Sequence, residues 1–296
     1  MIKHVQWFFG TFWVLFFSFA VDAAEIQFAN GDIATLQEQA LSGDPASQHE
    51  LGLLYAEGRG IALDYASALY WFEKAAAQGH IASQYNLGTM FALGLGTEQD
   101  YKQSGMWYKL AAEKGHAQAQ NNLALFLEHG MGVDRNPQHA LRWYRRSADQ
   151  GHPEAQYNLA QAYLDGNIVK QDLAEAHRLF TRAAENGYAS AQFMLGYLLE
   201  TGVGPDKNLH KAAAWYKAAA EQGLSEAQLN LGLLYLTGQG VSREMVLAHM
   251  WLTIARDLGN DRAVEAVALA EQGMSSGQIE QAERLAREWL TAFEAR

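Results

Sequence analysis

The chain has 296 residues, 49% of them hydrophobic and 19% charged, with 27 glycines, 4 prolines and no cysteine. A formal net charge of −11 disfavours nucleic acid and anionic lipid as partners of the molecule as a whole, though a local basic patch is compatible with it. The lack of cysteine excludes disulfides, thiolate metal sites, a thiol nucleophile and cysteine lipidation.

Residues 1–23 read as an export signal: Lys3 gives a positive start, Trp7 to Val21 is almost uninterrupted apolar sequence, and Val21-Asp22-Ala23 supplies small residues for cleavage after Ala23. About fifteen apolar residues fall short of the roughly 20 that span a bilayer. Membrane association is therefore expected only if this segment stays uncleaved. Residues 24–42, carrying Ile33, Leu36, Ala40 and Leu41, predict an N-terminal capping helix.

From Gly43 a period of 36 governs the chain, through Gly79, Gly115, Gly151, Gly187, Gly223 and Gly259. With Gly43 as position one, position nine is leucine from Leu51 to Leu231, and position sixteen is glycine from Gly58 to Gly238. Between them runs a first helix, A, whose stripe includes Gln48, Leu51, Gly52 and Tyr55, recurring as Gln228, Leu231, Gly232 and Tyr235. Position ten is always small (Gly52, Gly88, Ala124, Ala160, Gly196, Gly232), which predicts close helix packing.

A Gly-x-Gly turn follows helix A in every repeat but the fourth, where Ile168 intervenes. Helix B then starts at the capping residues Asp64, Asp100, Asn136, Asp172 and Asn208, with Glu244 the exception. Its aromatic pairs, such as Trp71-Phe72 and Trp143-Tyr144, precede small pairs such as Ala75-Ala76 and are expected in the core. Six repeats thus fill 43–258, and 259–296 predicts a half-repeat with an amphipathic closing helix from Met274 to Phe293.

The pattern Gly223, Ala227, Leu231-Gly232, Tyr235, Gly238, Gly240-Val241, Ala248 and Trp251 resembles the Sel1-like repeat family, relatives of the tetratricopeptide repeats. The resemblance covers 43 to about 258, and the run Met274-Ser275-Ser276-Gly277-Gln278-Ile279 is similar to the closing helix of bacterial members. It implies an all-α, right-handed solenoid with helices A lining a concave face, and a role as adaptor or scaffold. Exported bacterial members are associated with envelope regulation, exopolysaccharide export or host interaction. Cysteine-rich members linked to β-lactam binding are a poorer parallel, since this chain has no cysteine.

On helix A, positions seven, eight and eleven lie off the apolar stripe. Asn86, Asn122, Asn158 and Asn230 hold position eight, interrupted by Glu50 and Met194, and such amides suit the main chain of an extended peptide. Tyr85, Tyr157, Phe193 and Tyr197 nearby are candidates for side-chain pockets; the equal alternative is that the asparagines stabilise neighbouring loops or helices. Arg142, Arg145, Arg146, Arg178 and Arg182 form the one basic cluster, suited to an acidic partner or anionic polysaccharide, or simply paired with Asp149, Glu175 and Glu185.

His80, His116 and His152 follow repeat glycines and are explained by repetition, stacked too far apart for one metal. No catalytic constellation stands out. The expectation is a periplasmic or secreted, non-catalytic scaffold without metal or cofactor that binds a protein or peptide. A polysaccharide-associated role is the alternative.

Overall fold

The computed structural model describes residues 30–204 and 206–295, which contain fifteen α-helices. The predicted export segment lies outside the described residues, as do the first residues of 24–42. No helix among the described residues is long and apolar enough to cross a membrane.

The chain begins with α1 (Asn30–Leu41) and continues as six helix pairs, A then B. These are α2 (Pro45–Glu57) and α3 (Tyr65–Ala77), α4 (Ile81–Leu93) and α5 (Tyr101–Glu113), α6 (Ala117–His129) and α7 (Pro137–Asp149). They continue as α8 (Pro153–Asp165) and α9 (Leu173–Glu185), α10 (Ala189–Thr201) and α11 (Leu209–Glu221), α12 (Ser225–Thr237) and α13 (Met245–Asp257), before α14 (Arg262–Glu271) and α15 (Ser276–Glu294). Contacts divide the chain into two compact units, one reaching Ala119 and adding Gly130–Asp134, the other comprising Gln120–His129 and everything from Arg135.

The local sequence explains the uniform lengths. Helix A ends where a left-handed glycine such as Gly58, Gly94 or Gly166 returns its N–H to the carbonyl four residues back. Helix B starts where Asp64, Asp100, Asn136, Asp172 or Asn208 accepts from backbone N–H groups of its first turn; Glu244 makes no such bond. The intervening loop is closed each time by the same backbone bond, Asp64 N–H to Tyr55 O in the first repeat and Glu244 N–H to Tyr235 O in the sixth.

Packing within a pair turns on position ten. A Cβ added to Gly52 would lie 2.6 Å from the Phe72 ring, one at Gly88 2.5 Å from Tyr108, and one at Gly196 2.8 Å from Tyr216. Those rings are fully buried. The tryptophans beside them differ: Trp71, Trp107 and Trp215 are half-buried, whereas Trp143 and Trp251 are buried.

Position six is glutamine in all six repeats, a polar residue set within the otherwise apolar stripe. Gln48, Gln84, Gln156, Gln192 and Gln228 are buried and donate from Nε2 to Ala40, Ala76, Ala148, Ala184 and Ala220 O, carbonyls in the last turn of the preceding helix. Their Oε1 atoms accept from the residue that ends the following helix B: Gln78 to Gln48, Gln150 to Gln120, Asn186 to Gln156, Gln222 to Gln192. Two links fail for a visible reason. Lys114 and Leu258 hold the donor's position in repeats two and six, and Gln84 Oε1 and Gln228 Oε1 are buried without a partner.

The ends are capped by different means. Ile33, Leu36 and Ala40 of α1 join Leu51 and Leu54 in one core, but Leu41, expected to face the same way, is 75% exposed. At the other end Ala263, Ala266, Val267 and Ala270 of α14 pack with Leu252 and Ala255. Helix α15 opens on a capping box between Ser275 and Gln278 and packs on α13, with Trp289 5.7 Å from Trp251.

Candidate functional site

The helix-A residues singled out by spacing separate into two groups. In the first unit Tyr85 and Asn86 are buried, 4% and 0% exposed, inside α4, where every residue from Ser83 to Met90 is buried. Tyr85 stacks on His116 at 4.7 Å. In the second unit Asn122 and Phe193 are also buried, while Tyr157, Asn158, Tyr197 and Asn230 are half-buried and reach the surface. The expectation that Asn86, Asn122, Asn158 and Asn230 all face a groove, with Tyr85, Tyr157, Phe193 and Tyr197 beside them, is therefore corrected at Tyr85, Asn86, Asn122 and Phe193, which are buried among neighbouring side chains.

Part of this row ties helices together. Asn158 Nδ2 donates to Asn121 Oδ1 at 3.1 Å, linking α8 to α6, and Asn121 donates on to Asn122. Asn230 bonds the Tyr216 phenol, which donates to Glu200 Oε2 at 2.6 Å. Tyr144 makes the same bond to Glu128 at 2.8 Å. Position thirty is tyrosine opposite Glu128 and Glu200 and phenylalanine, Phe72 and Phe180, opposite Ala56 and Leu164, but repeat two has Tyr108 opposite Ala92, where the phenol lies 3.2 Å from the Thr89 hydroxyl instead.

Around these groups the helix-A surface of the second unit is acidic. Burial pushes the Glu154 carboxyl up, against a hydrogen bond from Asn121, and burial together with the Glu128 charge raises Asp165. Burial and the Glu200 carboxylate likewise push the Tyr216 phenol up. None of Glu128, Asp165 and Glu200 has an ion pair among the described residues, and Glu154 meets only His152 at 3.9 Å.

The arginine cluster is found on α7 and α9 of the second unit. Its expected neutralisation is partial: Arg178 grips Glu175 through two bonds of 2.6 and 2.7 Å, but among the described residues no ion pair joins Arg142, Arg145, Arg146 or Arg182 to Asp149 or Glu185. Arg145 donates to the Tyr163 hydroxyl at 3.0 Å, and Arg146 lies over the Trp143 ring at 4.7 Å.

Two of the repeat histidines, His80 and His116, act as helix caps, whereas His152 makes no side-chain cap bond. His80 Nδ1 accepts from Ser83 N–H and His116 Nδ1 from Ala119 N–H, each at 3.3 Å, so each ring caps only while that nitrogen is unprotonated. A cavity of about 630 Å³ lies among His49, His80, His116, Lys114 and Glu50 in the first unit. No group of histidines and carboxylates suited to a metal occurs among the described residues.

Burial holds the His116 imidazole below the ordinary histidine range, so its contribution to stability is complete above about pH 6.5 and is lost as pH falls through the depressed value. Glu50, Glu154 and Asp165, raised by burial, act in the opposite sense, since acid relieves them. The histidine effect is isolated by difference: between pH 7.5 and 5 the urea midpoint of His116→Asn, which keeps a cap without a titration, should fall less than that of the parent chain.

The family model of the Sel1 repeat matches six consecutive segments, residues 45–80, 81–116, 117–152, 153–188, 189–224 and 225–260. The chain belongs to the Sel1 repeat family. It is an all-α solenoid by fold, and proteins of this family act in general as scaffolds for protein–protein interaction, typically without catalysis. A Sel1 repeat protein of Oxalobacter formigenes is 34% identical with a TM-score of 0.74, over 80% of this chain and 69% of that one. A protective antigen of uropathogenic Escherichia coli displaying an SLR fold is 29% identical, over 88% of this chain and 72% of that one, with a TM-score of 0.41. No curated protein matches the chain.

Proposed function

We propose that this Sel1-repeat chain is a non-catalytic scaffold of the cell envelope, periplasmic or secreted, that holds a polypeptide on the helix-A surface of its second unit. The observation that carries this reading is the half-buried row of Tyr157, Asn158, Tyr197 and Asn230, flanked by carboxylates that pair with no lysine or arginine among the described residues. Amides and phenols satisfy a peptide's main chain, rings take its apolar side chains, and the carboxylates favour a segment carrying lysine or arginine. The envelope location rests on the apolar run after Lys3.

Peptides selected from a random library on residues 24–296 provide a ligand for the test. The Tyr157→Ala, Tyr197→Ala double variant should bind them at least about tenfold more weakly, with unchanged helical circular dichroism. Undiminished binding counts against this surface.

A further inference from the structure

Positions twenty-eight and thirty-two of the repeat form the outer row of helix B, and their chemistry changes along the second unit. They are Arg142 and Arg146 on α7, Arg178 and Arg182 on α9, Ala214 and Ala218 on α11, and Met250 and Ile254 on α13. The arginines are exposed except Arg182, which is half-buried, whereas Met250 and Ile254 are buried. What distinguishes α13 is α15, packed on it in addition to α12 and α14. The fold therefore already accepts a helix laid on helix B, and in repeat six that helix is amphipathic and carries Glu280, Glu283 and Glu288.

We infer that the helix-B face of repeats three and four is a second docking surface, separate from the helix-A row, for a carboxylate-bearing helix of a partner protein. Charge complementarity sets the occupant's chemistry. Every cation of the cluster is an arginine, whose planar fork matches a carboxylate with two parallel bonds. Arg142 and Arg146 stand one helical turn apart, as do Arg178 and Arg182, which is the spacing of glutamates on one face of an incoming helix. The cluster has five guanidiniums and three carboxylates close to it in sequence, Asp149, Glu175 and Glu185, and among the described residues only Glu175 forms an ion pair with any of the arginines.

A second observation points to a missing acceptor at this place. Trp143 is 6% exposed, and its Nε1–H is buried with no hydrogen-bond partner, on the ring over which Arg146 lies. A buried donor left unpaired costs about 1–3 kcal/mol.

The test uses a fluorescein-labelled (Glu-Ala-Ala-Ala)5 peptide, with glutamate at every fourth position, and anisotropy at low ionic strength. The parent chain should bind it, and replacing Arg142, Arg146, Arg178 and Arg182 by glutamine should weaken binding at least about tenfold. Replacing Lys102, Lys109, Lys211 and Lys217 by glutamine removes the same charge from other helix-B surfaces and should change binding less than about threefold. Equal losses in the two variants, or no binding to the parent chain, would overturn the inference. So would alginate, a polyuronate, binding the same arginines more tightly than the peptide, which would assign the surface to polysaccharide. All the substituted side chains but the half-buried Arg182 are exposed, and glutamine keeps much of the aliphatic stem, so unchanged circular dichroism is expected of both variants.

Discussion

Gly132→Ala should lower the stability of the first unit by on the order of 3 kcal/mol, while Gly115→Ala should cost only about 1 kcal/mol. Both glycines have positive φ, +64° and +96°, and both substitutions add the same methyl group. They differ in surroundings. A Cβ at Gly115 meets nothing within 4 Å, whereas one at Gly132 would collide with the backbone carbonyl of Tyr101 and the amide of Lys102. A flexible side chain can turn aside, but the first turn of α5 cannot move without losing the cap from Asp100. Urea unfolding monitored by circular dichroism gives the comparison. Equal penalties would mean that the turn does not sit against α5 as described.

The second large effect is expected at position thirty. Phe72→Ala removes a fully buried ring packed on Gly52 and should cost about 3–5 kcal/mol, because helices joined by short loops collapse only partly into the space. Phe72→Leu should cost much less, on the order of 1 kcal/mol. The chain supplies the precedent: Leu252 holds this position in repeat six, opposite Gly232, and is itself fully buried. If leucine and alanine destabilise alike, the ring has a role beyond filling volume.

These two sites were legible in the sequence because each depends on a local rule. A glycine every 36 residues, a short polar residue before helix B and a small residue at position ten each dictate one backbone geometry, and the helices start and stop where those residues say. The candidate surface was legible only in part. Spacing places Asn86 and Asn158 on the same face of helix A, yet one is buried and the other reaches the surface, because accessibility depends on which side chains of neighbouring helices lie across that face.

The glutamine ladder had a sequence signal that periodicity alone misreads. An amide in the same place six times, within an otherwise apolar stripe, demands a fixed partner, and the carbonyl eight residues earlier is the one within reach. The pairing of Tyr144 and Tyr216 with Glu128 and Glu200 needs positions fourteen and thirty together, and Tyr108, which stands opposite Ala92 and meets Thr89, shows that the tyrosine alone does not announce it. Features common to every repeat serve stacking. Differences between repeats, such as the carboxylates near Asn158 and the arginines of α7 and α9, are what the two proposed binding surfaces rest on.

The most direct measurement is site-specific photo-crosslinking in living cells, with benzoylphenylalanine introduced singly at Tyr197 and Asn230 on helix A and at Ala214 on the outer row of α11. Both helix-A positions should yield the same polypeptide adduct and Ala214 none. Adducts confined to Ala214, or formed equally from all three positions, would contradict a binding surface on helix A.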